Sequence, residues 1–169
     1  MHVLVTAASR HEATREIAEA IADALNRRGV DADARPVDEV TSLDGFDAVV
    51  IGSAIYMGRW LKTAREFVSG RAAELSAVPV WLFSSGPLGP PDHLIPAGES
   101  ADAEQLIELV RARGHRVFAG RLERASLGFG ERAAARAVHA PEGDCRDWDA
   151  IDAFAGEIAA ELSAQKAAR

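Results

Sequence analysis

Three short stretches carry the residue types from which a binding chemistry can be built. The first is Thr6-Ala7-Ala8-Ser9-Arg10-His11-Glu12-Ala13-Thr14. It places the hydroxyls of Ser9 and Thr14 where an apolar run gives way to a helical period. Hydroxyls and backbone N–H groups at a helix start bind anions, because the dipole and the orphan amides both favour negative charge there. Ser9 or Thr14 can equally serve as an ordinary N-cap. The second stretch, residues 52–60, sets Ile55, Tyr56, Met57 and Trp60 within six positions of one another just after an apolar run. Tyr56 and Trp60 can stack on a flat ring. The alternative puts Ile55 and Trp60 on the core face of the next helix. The third is Ser84-Ser85-Gly86-Pro87-Leu88-Gly89. Its glycines allow close backbone approach, and its hydroxyls and amides can bond the polar edge of a heterocycle; the alternative is a proline-bounded turn. Taken together, a phosphate loop, an aromatic wall and a ring edge describe a site for a mononucleotide with a flat heterocycle. The first loop matches neither the Walker A pattern nor G-x-G-x-x-G, which excludes a P-loop or dinucleotide fold.

The elements that must position these loops alternate in period. Val3-Leu4-Val5 opens a β-rich run. Ile17, Ala20, Ile21, Ala24 and Leu25 then recur with helical spacing over residues 14–27, and Gly29 follows as a stop. Val30, Ala32 and Ala34 alternate with charged residues, as in a half-buried strand that Pro36 cuts short. Residues 47–52 and 79–83 are continuous apolar runs, suited to strands buried on both faces of a parallel sheet. A helix is expected from Leu61 to about Glu74. Another spans residues 101–113, with Ser100 as its cap and Leu106, Ile107 and Val110 inward. A fifth strand covers residues 115–119. A last helix starts at Trp148, capped by Asp147, with Ile151, Phe154, Ala155, Ile158 and Leu162 inward. Trp81 and Trp148 read as core or packing residues. This order of strands and helices implies an α/β three-layer sandwich. Residues 121–145 fit neither period and read as an insertion at strand 5. Residues 1–164 are expected to form a single domain, with residues 165–169 a frayed tail.

Composition bounds the function. The net charge of −7, from 26 acids against 19 bases, argues against broad nucleic-acid binding. No apolar run reaches the roughly 20 residues of a membrane span, and no secretory signal is read at the start. Cys145 is the only cysteine and the histidines are scattered, so neither a disulfide nor a metal site is expected. A cytoplasmic location fits.

On these residues the chain resembles the flavodoxin family, in the branch that includes the menaquinone-dependent protoporphyrinogen oxidases. The likeness rests on residues 5–18, on the block Ile51-Gly52-Ser53-Ala54-Ile55-Tyr56-Met57-Gly58-Arg59-Trp60-Leu61-Lys62, and on residues 83–89. It continues through residues 117–122 and 140–148. The resemblance implies a flavodoxin-like fold with a five-stranded parallel sheet of order 2-1-3-4-5, and it implies FMN. Ser9, Arg10, His11, Ala13 and Thr14 would surround the phosphate. Ser53, Ala54, Ile55, Tyr56, Met57 and Gly58 would border the ribityl chain and ring, with Trp60 beside them. Ser85, Gly86, Pro87, Leu88 and Gly89 would cover the ring's polar edge. Two adjacent positions depart from the family pattern: Glu12 stands where glycine is usual, and Ala13 replaces a hydroxyl. A positive φ there would strain Glu12, a carboxylate facing the phosphate would repel it, and Glu12→Gly would then tighten binding.

Two classes of function follow. One is an FMN-dependent redox protein, either an electron carrier or an oxidoreductase of the porphyrinogen oxidase kind, working with a partner protein or a quinone. For the latter, Arg121, Arg124, Arg132 and Arg136 would offer a peripheral membrane or quinone contact, or else a solvated charged face. The other is a binding module that has lost or weakened its hold on FMN through Glu12.

Overall fold

The computed structural model describes residues 1–56, 58–86, 101–122 and 143–168. The chain starts with β1 (His2–Ala8), whose residues from Val3 onward are buried. Helix α1 (Ala13–Arg27) follows. Its Ile17, Ile21, Ala24 and Leu25 are fully buried, as the helical spacing requires. Strand β2 (Asp31–Pro36) lies parallel to β1, and a 3-10 turn (Val37–Glu39) follows the proline. Ala32 is buried but Ala34 is exposed, so only part of the expected alternation faces the core. Asn26 fixes the entry to β2: its side chain both donates to and accepts from the Ala32 backbone, at 2.8 and 3.0 Å.

Strand β3 (Ala48–Tyr56) runs beside β1. The chain then turns back at Gly58, φ 75°, into the two-residue β4 (Arg59–Trp60), antiparallel to the end of β3. Helix α2 (Lys62–Gly70) and the single turn α3 (Ala72–Leu75) come next. One continuous helix was expected here. Ser69 and Gly70 are poor helix formers, and Arg71, φ −117°, turns its guanidinium to the carbonyls of Val40 and Thr41. Strand β5 (Val80–Ser85), helix α4 (Ala101–Val110) and strand β6 (Gly114–Phe118) complete the sheet. Helix α4 stops short of its expected end because Arg111 takes a left-handed φ of 53° and the Arg113 amide bonds Val80 O. Strands β7 (Arg121–Leu122) and β8 (Gly143–Asp144) pair antiparallel, so the two ends of the expected insertion form a ribbon. Helix α5 (Trp148–Ala167) closes the chain. Asp147 caps it through the Ala150 amide at 3.0 Å. It extends past the expected fraying point at Ala164. Trp148 is not a core residue: it is 44% exposed. The expected cap at Ser100 lies outside the described residues.

The parallel sheet has the order β2-β1-β3-β5-β6. This is the expected 2-1-3-4-5 once the short hairpin strand β4 is counted. Successive residues of a strand face opposite layers. Val3, Val5, Trp81 and Phe83 therefore meet α1 and α5, while Leu4, Val49, Ile51 and Leu82 meet α2, α3 and α4. Phe83 occupies the space above Gly52, where a Cβ would come within 2.0 Å of its ring. Its ring also begins a chain of contacts through Phe118 to Phe154, at centroid distances of 6.0 and 5.8 Å. Each such ring contributes roughly 1.5–3 kcal/mol by burial.

Candidate functional site

The three loops leave the sheet from one row. Ala8, Ser53 and Ser84 are register partners on adjacent strands, and the residues after them lie at the carboxyl edge. Order reverses at β1, with β2 on one side and β3 on the other. Open α/β sheets bind ligands at such a switch point.

In the first loop, neither Ser9 nor Thr14 caps the helix. The N-cap is Glu12, at φ 61° and ψ −26°, with no side-chain capping bond. The Ala13 and Glu16 amides go to the carbonyls of His11 and Glu12, at 2.7 and 2.9 Å. A left-handed residue at a helix entry turns successive N–H groups toward one point, which makes an anion-binding concavity. Thr14 is 2% exposed and Ala13 is buried, so both support the turn from beneath. The Glu12 carboxylate is 2.6 Å from Arg15, on the exposed side of α1. Ser9 and His11 are half-buried, and Arg10 is exposed.

In the second loop, Ala54, Ile55 and Tyr56 are half-buried at the end of β3. Arg10 reaches across from the first loop, its guanidinium 4.6 Å from the Tyr56 ring centroid. Ser53 is buried: its Oγ accepts from the Leu61 amide and donates to Ala54 O, both at 2.9 Å. It holds the loop's shape. Trp60 departs from the aromatic-wall expectation. It is 1% exposed, packed in the α2–α4 layer, and its Nε1 donates to Ser84 Oγ at 2.8 Å. Trp60 is a core residue, as the alternative had it, but it belongs to the strand β4 and not to the next helix, which starts at Lys62. Gly58 is exposed, and a Cβ on it would meet no atom within 4 Å.

In the third loop, Ser84 and Ser85 are buried parts of β5. Ser84 Oγ also lies 2.8 Å from His115 Nε2. Gly86, φ 139°, donates to Phe118 O, and a Cβ on it would press within 3.0 Å of Ile55 O. Glycine is required here because the second and third loops touch through their backbones. Met57, Pro87, Leu88 and Gly89 lie outside the described residues, as do Arg124, Arg132 and Arg136.

Spacing alone does not reveal two ion-pair groups around this edge. Arg59 grips Asp102 with two bonds of 2.9 and 3.1 Å, tying the β3–β4 hairpin to the start of α4. The Arg59 bonds hold the Asp102 carboxyl below its ordinary range. Arg146, whose side chain is 2% exposed, binds Asp144 through Nε and Nη2 and Glu16 through Nη1 at 2.6 Å. Arg121 also meets Glu16, at 3.0 Å. Burial works against the charged form of Glu16, but its bonds to Arg146 and Arg121 bring the carboxyl below its ordinary range. A separate groove of about 400 Å³, between Phe46, Val78, Arg111 and Gln165, opens at the amino edge, away from these loops.

Residues 4–149 match the sequence model of the flavodoxin domain. The chain belongs to the flavodoxin-domain family. That family binds FMN and carries electrons between partners. Among curated relatives, protoporphyrinogen IX dehydrogenase [quinone] of Escherichia coli K12 is 33% identical over 86 residues, 50% of this chain and 48% of that one. The chain thus spans about half the length of the curated relatives it matches. A flavodoxin from the domain Archaea superposes with a TM-score of 0.67 at 15% identity, over 96% of this chain and 99% of the other. Rubredoxin oxygen:oxidoreductase of Desulfovibrio gigas gives 0.68 at 14% identity, over 98% of this chain but 37% of the larger one. Among the described residues of this flavodoxin-domain chain, no helix is long and apolar enough to cross a membrane, and no group of His, Cys, Asp and Glu has metal-binding geometry.

Proposed function

We propose that this chain binds FMN at the carboxyl edge of the sheet and works as a redox domain. The observation that carries the reading is the first loop: a left-handed turn at Glu12 opens α1 with no side-chain capping bond. The loop fits a phosphate. The first-turn amides, Ser9, Arg10 and His11 would hold it, and the helix dipole favours its charge. Tyr56 would face the isoalloxazine ring, and the Ser85–Gly86 backbone would line its polar edge. Bound FMN supplies the capacity to accept and release electrons. The protein's part is to orient the ring and to set its surroundings.

The placement of Glu12 supports this reading. Its carboxylate is held by Arg15 on the helix's outer side. The left-handed φ is already present in the folded loop, so its strain of about 1–2 kcal/mol weighs on folding and not on ligand affinity. Both points favour the FMN-binding reading over a module that has lost FMN. The test is direct. Titration of the purified protein with FMN should quench flavin fluorescence with a stoichiometry of one, and no quenching with excess FMN overturns the reading.

A narrower reading, oxidation of a porphyrinogen with a quinone as acceptor, is supported by the 33% identity to the quinone-linked dehydrogenase over half the chain. Arg121, part of the suggested quinone or membrane contact, bonds Glu16. The FMN-loaded protein should oxidise protoporphyrinogen IX in the presence of a menaquinone analogue. No turnover with several quinones sinks this narrower reading and leaves an electron carrier.

A further inference from the structure

The geometry points to Arg146 as a positioning residue that sets the phosphate loop from behind, through Glu16 and the Ala13 carbonyl. This rests on the FMN reading and deepens it.

Arg146 stands 133 residues after Ala13, in the link between β8 and α5, yet its side chain is 2% exposed. All three guanidinium nitrogens are used. Nε and Nη2 form a fork on Asp144 at 2.8 and 2.7 Å. Nη1 reaches Glu16 Oε2 at 2.6 Å and Ala13 O at 3.2 Å. The guanidinium plane also sits 4.4 Å from the Trp148 ring. Ala13 and Glu16 belong to the first turn of α1, the turn that the FMN reading sets against the phosphate. A planar fork with five donors in fixed directions can fix one carboxylate while holding a second group. Lysine, a point charge on a flexible stem with three donors on one atom, cannot reproduce the two-bond fork on Asp144 while also reaching Glu16 and Ala13.

The ribbon that carries Asp144 is itself anchored. Arg121, the register partner of Asp144, bonds Glu16 at 3.0 Å from the neighbouring strand. The Cys145 amide bonds Gly120 O, and Gly120 lies so close to Gly86 that a Cβ would come within 3.0 Å of its Cα. The base of the ribbon therefore touches the third loop on one side and the first turn of α1 on the other. Through these contacts the ribbon fixes the distance between phosphate loop and ring-edge loop. Arg146 is the member that bears on the phosphate side.

Charge and position predict opposite signs at Glu16, which makes the proposal testable. If Glu16 acts only as a negative charge near a helix N-terminus, Glu16→Gln should tighten binding of a dianionic phosphate. If it holds the turn in place for Arg146, the same change should loosen it. The experiment measures dissociation constants of FMN and riboflavin, which share the ring and differ in the phosphate, for the wild-type chain, Arg146→Lys and Glu16→Gln. Both variants should weaken FMN by about tenfold, the scale of a hydrogen bond to a charged group, with riboflavin within about twofold of wild type. Equal loss for both flavins, or no loss, overturns the positioning role, and so does tighter FMN binding by Glu16→Gln. Circular dichroism establishes folding; should Arg146→Lys fail to fold, Glu16→Gln decides alone. A wild-type chain that binds neither flavin is a different failure: it overturns the FMN reading, and this inference falls with it.

Discussion

The Trp60 indole N–H donates to Ser84 Oγ at 2.8 Å across the β3–β5 boundary, and the same oxygen meets His115 Nε2 at 2.8 Å. The bond locks the β4 hairpin strand onto the end of β5, beneath two of the three loops. Trp60→Phe removes the donor and keeps most of the ring volume. Stability should fall by about 1–2 kcal/mol, the range for a lost buried hydrogen bond, while FMN affinity stays near wild type. Urea unfolding with parallel FMN titration checks both. A selective loss of affinity at unchanged stability would show that Trp60 forms the ring wall after all.

Glu12 gives the second expectation. Its φ of 61° is one that glycine adopts freely and that strains a glutamate. Glu12→Gly relieves that strain but frees the unfolded chain and removes the Arg15 pair. The net should be a gain of under about 1 kcal/mol in unfolding free energy. FMN affinity should change little. A strong tightening would restore the view that Glu12 opposes the phosphate.

Tyr56 lies under the Arg10 guanidinium at 4.6 Å, and the pair separates two contributions. Tyr56→Leu should weaken FMN and riboflavin alike, by about three- to tenfold for a lost aromatic stack. Arg10→Ala should weaken FMN more than riboflavin, since its charge serves the phosphate. Isothermal titration with each flavin distinguishes them, and an identical profile for the two variants would reject the division.

Acid should destabilise the fold through α5. Bonds from Arg28, then Arg27, lower the Asp152 pKa to about 2. A depressed carboxyl contributes stability that is complete above its unfolded value, about 4, and is lost as pH falls toward the folded value. Asp33, Asp102 and Asp144 are lowered by their arginine partners and act in the same direction. The melting temperature should therefore drop as pH falls from about 4 toward 2, and Asp152→Asn should flatten part of that drop. A pH-independent melting temperature in that window would count against these pairs.

The strands that carry the site were readable because β1, β3 and β5 are buried on both faces and must be continuously apolar. Their order followed from the family likeness. Two kinds of feature were not readable. Periodicity cannot tell whether an aromatic residue after a strand points out or folds back, so Trp60 was ambiguous until the two-residue β4 placed it inside. Nor does local pattern name a partner 130 positions away, which is the separation of Glu16 and Arg146. The one hint was composition: Asp144 and Arg146 lie close together, just before the Asp147 cap.

Arg27 and Arg28 at the end of α1 both bind Asp152 near the start of α5, and the two helices share one core with Ile17, Ile21, Leu25, Phe154 and Ile158. During synthesis this has a cost. The ribosome makes α1 about 120 residues before α5, the helix that completes the core around its apolar stripe. The nascent chain must therefore carry a sticky, unfinished face until α5 emerges. Nonsense or frameshift lesions just before Trp148 should consequently yield material for chaperones and proteases, even though every loop of the proposed FMN site has already been made.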